Sequence, residues 1–420
     1  MASIRKNIFS SLIGNLVYAI GQYLILILFI KFFTKAEVGE YLFALAFVTP
    51  INLGFDLQLR TLYVTESNSQ VLFPDYYFFR LVTNGISILI TLSAILIYKS
   101  NYFLIVLVVA GIKALETHIE LLYGVYQTKY KMDFVAKSKI IRTICSITAI
   151  GITVFLTNNL IYALWSYFIV WWVLLIFYER KNVVKLGFLK RDDFKIKINK
   201  ENIKYLVINT SPLIFAILID KYYANFPRLA IEKFLGLDEL AIFGSLLYFK
   251  ALAGQVISAI GQATAPNLSS FFKKGMLAQF KKMTVKLIFS GFLVGLIGVV
   301  LVYFFGDWLL KIVYSAEFAN YKNVLILILI GASISFSYIF IGTALTCMRK
   351  QWIKLPISLV GLALIVFLFF FTEPVNLIEV ANILLYTEGL IFILYFGVYF
   401  YYTKYVFKKI DKETLHSISH

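Results

Sequence analysis

The stretch that decides the fold runs from residue 205 to residue 234 and reads YLVINTSPLIFAILIDKYYANFPRLAIEKF. It is apolar enough to enter a bilayer, yet it carries Asp220, Lys221, Asn225 and Arg228. Lys221, Asn225 and Arg228 recur at helical spacing, so they share one face of a helix. A charge at the bilayer centre costs about 2.5–3.5 kcal/mol on insertion scales, so such groups persist only where they face protein or water. We therefore expect the other helices to enclose a cavity for this face, and this cavity to handle an anion.

Composition places the whole chain in a membrane. Of its 420 residues 60% are hydrophobic, and the mean hydropathy is +0.82, whereas soluble domains are about 45–50% apolar. Cys145 and Cys347 both fall in apolar runs, which provides neither a disulfide framework nor a zinc spacing. With only three histidines in the chain, a histidine metal site is not expected. No cofactor is predicted.

Apolar runs long enough to span the bilayer, about 20 helical residues each, recur along the sequence. The segments lack the alternation of β-barrel strands. The sequence therefore predicts an all-α integral membrane protein with about twelve transmembrane helices in two pseudo-symmetric six-helix bundles around a central cavity. The predicted spans are 9–31, 38–62, 78–99, 102–126, 138–156, 158–178, 203–230, 239–263, 283–304, 323–347, 353–372 and 376–402.

The distribution of basic residues predicts the orientation. With the N-terminus inside, 27 of the 40 Lys and Arg residues fall in inside segments, six fall outside and seven lie within helices. This asymmetry predicts that both termini are cytoplasmic, and it explains the net charge of +17 without a nucleic-acid partner. The basic segment 179–200 is predicted to be a cytoplasmic linker between an N-terminal lobe, 1–200, and a C-terminal lobe, 201–420.

A weak internal repeat agrees with this division. Residues 32–47, FFTKAEVGEYLFALAF, align with residues 234–249, FLGLDELAIFGSLLYF, at an offset of 202. Each segment joins the first and second helices of its half. Because each half has six helices, the repeat should be parallel, with its pseudo-axis along the membrane normal.

Charged residues within the predicted helices are the candidate site. Lys113, Glu116 and Glu120 share one face, which leaves two interpretations open: an ion pair within the helix, or a cavity-lining cation beside a titratable carboxylate. Arg228 could likewise line the cavity or reach the outer surface. The predicted substrate-binding cations are Lys113, Lys221, Arg228 and Lys250, the candidate ion-coupling carboxylates are Glu116, Asp220 and Glu388, and the predicted polar lining is Asn15, Gln22, Asn52, Asp56, Arg60, Asn225 and Gln255.

Other polar residues are expected to have ordinary roles. Asp56 and Arg60 are four positions apart and are predicted to pair with each other. Arg80 and Arg142 begin the third and fifth predicted helices, where we expect them to be cytoplasmic anchors. Pro212 and Pro227 each remove a backbone hydrogen bond from the seventh helix and are candidate bends.

Two segments then carry a family resemblance: AEVGEYLFALAFVTPINLGFDLQLR, which begins at residue 36, and NTSPLIFAILIDKYYANFPRLAIEKFLGLDELAIFGSLLYFKALAGQV, which begins at residue 209. With the topology, they resemble Wzx-type polysaccharide and O-antigen flippases of the multidrug/oligosaccharidyl-lipid/polysaccharide exporter superfamily. The resemblance implies a bacterial cytoplasmic-membrane protein that moves an undecaprenyl-pyrophosphate-linked oligosaccharide to the outer leaflet by alternating access. It implies membrane lipids, and other polysaccharide-assembly proteins, as partners.

Two other classes stay open from the sequence. One is a drug or cation antiporter, or a cell-wall-precursor (lipid II) flippase, on the same scaffold, although a drug-cation exporter should have a net acidic cavity. The other is a membrane-embedded transferase or polymerase. No phosphate-cradling glycine loop, nucleophile elbow or zinc spacing occurs in the sequence, so we do not expect an enzyme.

Overall fold

A computed structural model describes residues 2–65, 70–196 and 198–406. The described residues form a helical protein with twelve long α-helices, most of them joined by short connections. These helices are α1 (Ala2–Phe32), α2 (Lys35–Asp56), α3 (Phe73–Lys99), α4 (Phe103–Thr128), α5 (Met132–Thr157), α6 (Leu160–Leu174), α7 (Lys200–Phe234), α8 (Leu237–Lys273), α9 (Leu277–Val313), α10 (Lys322–Cys347), α11 (Lys354–Thr372) and α12 (Leu377–Tyr401).

The helices confirm the predicted all-α membrane fold. Ten helical stretches of the described chain are long and apolar enough to cross a membrane, and α7 adds an eleventh if its two bent segments count as one span. One of the ten, Phe73–Thr128, is 56 residues long and contains both α3 and α4. Each of these two helices exceeds the roughly 20 residues that one crossing needs, so the described chain is long enough for twelve crossings if α7 counts as one.

The first two helices of each half begin and end at matching positions. α1 ends at Phe32 and α7 at Phe234, while α2 begins at Lys35 and α8 at Leu237, which keeps the offset of 202 seen in the sequence repeat. Thr34 caps α2 in a capping box with Glu37. The α7–α8 connection instead has Gly236 at φ 96° before its helix, a conformation that favours glycine.

Contacts divide the chain into two compact units, Met1–Glu232 and Lys233–His420. Within the first unit α2 packs against α3 and α4, and α4 packs against α6. Within the second unit α8 packs against α9 and α10, and α10 packs against α12. The internal packing therefore repeats between the units. Most of α7 clusters with the first unit, so a lobe boundary near residue 200 stays a prediction.

The predicted linker proves to be partly helical and packed. α6 continues through a π-helical turn, Leu175–Arg180, into a short helix, Lys181–Lys185. Phe194 is buried beneath this segment, with its ring centre 5.7 Å from that of Phe73 and 5.4 Å from that of Tyr77, both on α3. The segment beyond α6 is therefore fastened to the first unit over much of its length.

One of the two prolines in α7 coincides with a bend. The segments Lys200–Ser211 and Ile214–Phe234 meet at 45°, and Pro212 lies in the break between them. A missing backbone donor is a usual cause of such a kink. Helix continues through Pro227.

Candidate functional site: buried charge in each unit

The first unit contains a group of buried and half-buried charged and aromatic side chains, here called the charged cluster. They come from α1, α4, α5, the end of α6 and a short helix, Leu59–Thr65, that follows α2. The cluster holds four cations and three carboxylates. Its members are Tyr18, Arg60, Lys113, Glu116, Glu120, Tyr123, Ser138, Lys139, Arg142, Trp171 and Glu179.

Lys113 is neutralised within its own helix. Its Nζ atom donates to Glu116 Oε2 at 2.8 Å, and the Tyr18 hydroxyl donates to the other oxygen at 2.5 Å. Of the two interpretations left open by the sequence, the ion pair is what the structure contains. Whether Lys113 also contacts a substrate stays a prediction, because an ion pair can exchange partners.

Glu120, one turn further along α4, bridges two cations. Arg60 donates to one of its oxygens, and Lys139 Nζ lies 3.3 Å from the other. Lys139 also donates to Asn15 Oδ1 at 2.9 Å, and Arg60 donates to Gln127 at 2.9 and 3.1 Å. The cluster therefore ties α1, α4, α5 and the short helix together through polar contacts.

The predicted pairing of Asp56 with Arg60 is wrong. α2 ends at Asp56, and the next two residues, Leu57 and Gln58, have left-handed φ values of 56° and 48°. Arg60 therefore belongs to a different helix, and the four-residue spacing does not place it above Asp56. Asp56 instead pairs with Arg80 at 2.8 Å.

The prediction that Arg80 and Arg142 are ordinary cytoplasmic anchors is also wrong, because both are buried. Arg80 donates to the backbone carbonyl of Asp56 at 2.9 Å in addition to its ion pair. Arg142 is 2% exposed. Its guanidinium carbon lies 4.2, 5.1 and 5.8 Å from the ring centres of three aromatic side chains, those of Trp171, Tyr18 and Tyr123. Desolvated cation–π contacts of this kind are worth about 2 kcal/mol.

The sequence analysis does not include Lys139 and Arg142 among the site residues, because both lie near a predicted cytoplasmic loop. A signal for them was present in the sequence. Polar side chains at helical spacing form one face of α5, and the structure buries that face: Ser138, Lys139, Arg142, Thr143 and Ser146. A polar stripe on an otherwise apolar spanning helix faces protein rather than lipid.

Glu179 is absent from the predicted site for a related reason, since it is the first residue of the predicted linker. It is buried in the π-helical turn after α6, where Ser138 donates to its Oε1 atom. Ser138 is in turn hydrogen-bonded to the Tyr123 hydroxyl. π-Helical turns are rare and frequently occur at functional sites.

The predicted face of α7 is a chain of local contacts. Lys221 is 37% exposed and pairs with Asp220 at 2.8 Å. Asn225 donates to the Lys221 carbonyl at 2.9 Å, and Arg228 donates to Asn225 Oδ1 at 3.1 Å. In the rest of the predicted lining of the first unit, Gln22 donates to Tyr167 at 2.8 Å, and Asn52 is buried.

The second unit contains a smaller polar centre. Lys250 on α8 pairs with Glu388 on α12 at 2.6 Å, and the Tyr338 hydroxyl of α10 donates to the other oxygen of Glu388 at 2.6 Å. Tyr338 stacks on Tyr395 with ring centres 5.3 Å apart. Gln255, further along α8, is exposed.

The predicted substrate-binding cations and ion-coupling carboxylates therefore fall into three groups: the charged cluster, the α7 face and the centre around Glu388. Lys113 and Lys250 belong to different units, so their convergence on one substrate site stays a prediction. Among the residues that the structure describes, no three histidine, cysteine, aspartate or glutamate side chains are grouped so that they could hold a metal ion.

Comparisons with known proteins agree with this architecture. The capsular polysaccharide biosynthesis protein CapF of Staphylococcus aureus is 27% identical over 400 residues, which cover 94% of this chain and 98% of that protein. A multidrug resistance transporter of the MATE family, solved in an inward-facing conformation, matches with a TM-score of 0.70 at 12% identity over 96% of each chain.

A second solved structure is a MOP superfamily transporter from Pyrococcus furiosus, described as having a binding pocket of reverse polarity. It matches with a TM-score of 0.65 at 13% identity, over 97% of this chain and 96% of that one. At such identities the likeness concerns the fold, which is that of the MOP superfamily transporters. The family model for polysaccharide biosynthesis proteins matches residues 4–272. The chain belongs to that polysaccharide biosynthesis protein family.

Proposed function

We propose that this protein is a flippase that moves undecaprenyl-pyrophosphate-linked oligosaccharide units from the cytoplasmic to the outer leaflet of a bacterial cytoplasmic membrane. Its two halves would open alternately to each side, with both termini in the cytoplasm. Membership of a polysaccharide biosynthesis family and a transporter fold support this proposal. So does the relative named for capsular polysaccharide biosynthesis, which aligns over nearly its whole length.

The observation that carries the proposal is the excess of cations in the charged cluster, where Lys139 and Arg142 are buried and Arg60 and Lys113 are half-buried. Arg60, Lys113, Lys139 and Arg142 face only three carboxylates within the cluster. In a site shielded from water, an unbalanced positive charge favours an anion, and arginine binds phosphate oxygens in a bidentate geometry. A pyrophosphate or an acidic sugar has this chemistry.

The ion pairs suggest how an anion could be coupled to a cation gradient. Lys113, Lys221 and Lys250 pair with Glu116, Asp220 and Glu388 respectively. When a lysine turns to a pyrophosphate, its carboxylate loses its counter-ion. A carboxylate freed in this way is a site for H⁺ or Na⁺, so anion binding and cation uptake would be linked. Arg228 would hold the same head group from α7.

Complementation tests the proposal in a strain that lacks the gene. Lys221→Ala and Lys250→Ala should each abolish surface polysaccharide, with lipid-linked units retained inside, while the protein still inserts. Lys281→Ala, at an exposed position of α9, is the matched control and should leave the polysaccharide at its normal level. Normal polysaccharide from both test variants would rule out the assigned anion site.

A drug or cation antiporter on this scaffold is the second candidate class. Such a transporter would need a net acidic binding site, and the cluster instead has one more cation than it has carboxylates. Uptake of an organic cation by vesicles that contain the purified protein would favour this class. A transferase or polymerase would leave single oligosaccharide units outside the cell when the gene is deleted, whereas loss of a flippase retains them inside.

A further inference from the structure

Arg142 stands apart from the other cations of the charged cluster. Arg60, Lys113 and Lys139 each contact a carboxylate. The three guanidinium nitrogens of Arg142 are buried and make no hydrogen bond within the described chain. A guanidinium group has five N–H donors, and aromatic rings offset only part of the cost of burying them. Arg142 therefore retains the capacity to bind an anion.

Glu179 is the matching exception among the carboxylates. It is 2% exposed, Ser138 donates to its Oε1 atom, and its Oε2 atom makes no hydrogen bond in the described part of the chain. It occupies a stripe of buried residues at four-residue spacing, between Leu175 and Val183. The wider π-helical turn keeps residues of that spacing on one side of the helix. Packing alone would place an apolar side chain at this position, and the chain has a carboxyl group there instead.

Glu179 can gain or lose a proton without breaking an ion pair. Glu116 and Glu120 would each lose an ion pair on protonation, whereas Glu179 would lose none. Ser138, which holds the carboxyl group of Glu179, and Arg142 are four residues apart and lie one turn from each other on the same buried face of α5. The charged and titratable groups that face Glu179 are Arg142 from α5, Glu120, Tyr123 and Tyr126 from α4, and Tyr178 beside it.

We propose that Arg142 is a contact for the anionic head group of the substrate, and that Glu179 is an internal competitor for Arg142. When Glu179 is ionised, it pairs with Arg142 and displaces the anion. When it is protonated, Arg142 is left free and the cluster gains one positive charge. This inference rests on the proposed flippase function and adds to it a substrate contact and the group that controls that contact.

Because protonation of Glu179 favours the anion, and linkage between two ligands is reciprocal, the affinity for an anion should rise as the pH falls. The ionisation of a pyrophosphate works in the opposite direction, since the ligand loses charge as the pH falls. The contribution of Glu179 is therefore the difference between the pH profiles of the wild type and of Glu179→Gln, which mimics the protonated state.

The test measures binding of farnesyl pyrophosphate to the full-length purified protein from about pH 4.5, near the ordinary pKa of a glutamate, to about pH 8. The affinity of the wild type, divided by that of Glu179→Gln at the same pH, should fall by about tenfold as the pH rises. A tenfold change is a normal size for coupling between two sites. Glu179→Gln should bind tightly throughout and follow only the ionisation of the ligand. Arg142→Gln should lose about tenfold or more at the low end of the pH range, where protonated Glu179 leaves Arg142 free, and less at the high end. Arg142→Lys should recover part of that loss.

Exposed positions provide matched controls, because Glu201→Gln and Arg191→Gln change the same groups at the surface and should behave as the wild type. Every variant is first checked for a monodisperse elution profile, and Arg142→Lys serves if Arg142→Gln does not fold. If wild type and Glu179→Gln share one profile, or if neither Arg142 variant alters affinity, the inference is overturned while the flippase proposal stands. If the wild type does not bind the probe at all, the proposed substrate class fails as well.

Discussion

Lys250 and Glu388, 138 residues apart in the chain, form a 2.6 Å ion pair inside the second unit. Glu388 is buried, and Tyr338 satisfies its second oxygen. Lys250→Met would leave a buried carboxylate without its cation, which should lower the free energy of unfolding by about 3 kcal/mol. Thermal denaturation of the purified protein measures this loss. The double variant Lys250→Met, Glu388→Gln should recover most of it, and additive losses would contradict the pairing.

The partner of Arg60 can be tested by exchanging charges. Arg60→Glu should cost about 1–2 kcal/mol, because it faces Glu120 with a like charge. Adding Glu120→Arg should restore part of the stability, since the two side chains then pair in the opposite order while the new arginine faces Lys139. Adding Asp56→Arg should not, because Asp56 pairs with Arg80. Thermal denaturation measures the recovery. If Glu120→Arg and Asp56→Arg restored stability equally, Glu120 would not be the specific partner of Arg60.

Phe194 should control how firmly the segment after α6 is held. Its ring packs on Phe73 and Tyr77, and the guanidinium carbon of Arg180 lies 4.5 Å from its centre. Phe194→Ala should raise the rate of trypsin cleavage after the neighbouring Lys195 by about tenfold or more, because large-to-small changes at buried sites cost several kcal/mol. Ile196→Ala, at a side chain that is 61% exposed, is the control. Equal cleavage rates in the two variants would show that the anchor is absent.

Gly236 connects α7 to α8 with φ 96° and ψ −177°. This region is essentially restricted to glycine, and other residues pay about 1–3 kcal/mol to adopt it. Gly236→Ala should therefore lower the melting temperature even though a Cβ atom there would meet nothing within 4 Å. Gly85→Ala, at an equally open position inside α3, should change it little. A neutral Gly236→Ala would mean that the connection relaxes without cost.

The fold could be predicted because a bilayer leaves few choices. Twenty apolar residues in lipid must satisfy their own backbone, so they form a helix, and hydropathy alone located the twelve spans. Interruptions were harder to see. Leu57 and Gln58 give no sign in the sequence that α2 ends before Arg60, because both residues are compatible with a helix. Tertiary packing decides the break.

The candidate site was only partly predictable, for a physical reason. Periodicity shows which side chains share a helix face but not which helix lies opposite. The Lys113–Glu116 contact was therefore foreseeable, whereas the Lys250–Glu388 pair, spanning two helices, was not. Arg142 shows a further difficulty. Its depth along the helix resembled that of a surface anchor, but its direction around the helix, toward three aromatic rings, decides its environment.

The shared helix ends at Phe32 and Phe234, and the shared starts at Lys35 and Leu237, have an evolutionary consequence. Duplication of an ancestral six-helix gene followed by fusion would leave such a register, and once the two copies were joined each could diverge alone. The first unit has arginines in its interior, whereas the described residues of the second hold the Lys250–Glu388 pair. Inheritance would thus account for the matching helix ends, and later specialisation would account for the different tasks of the two units.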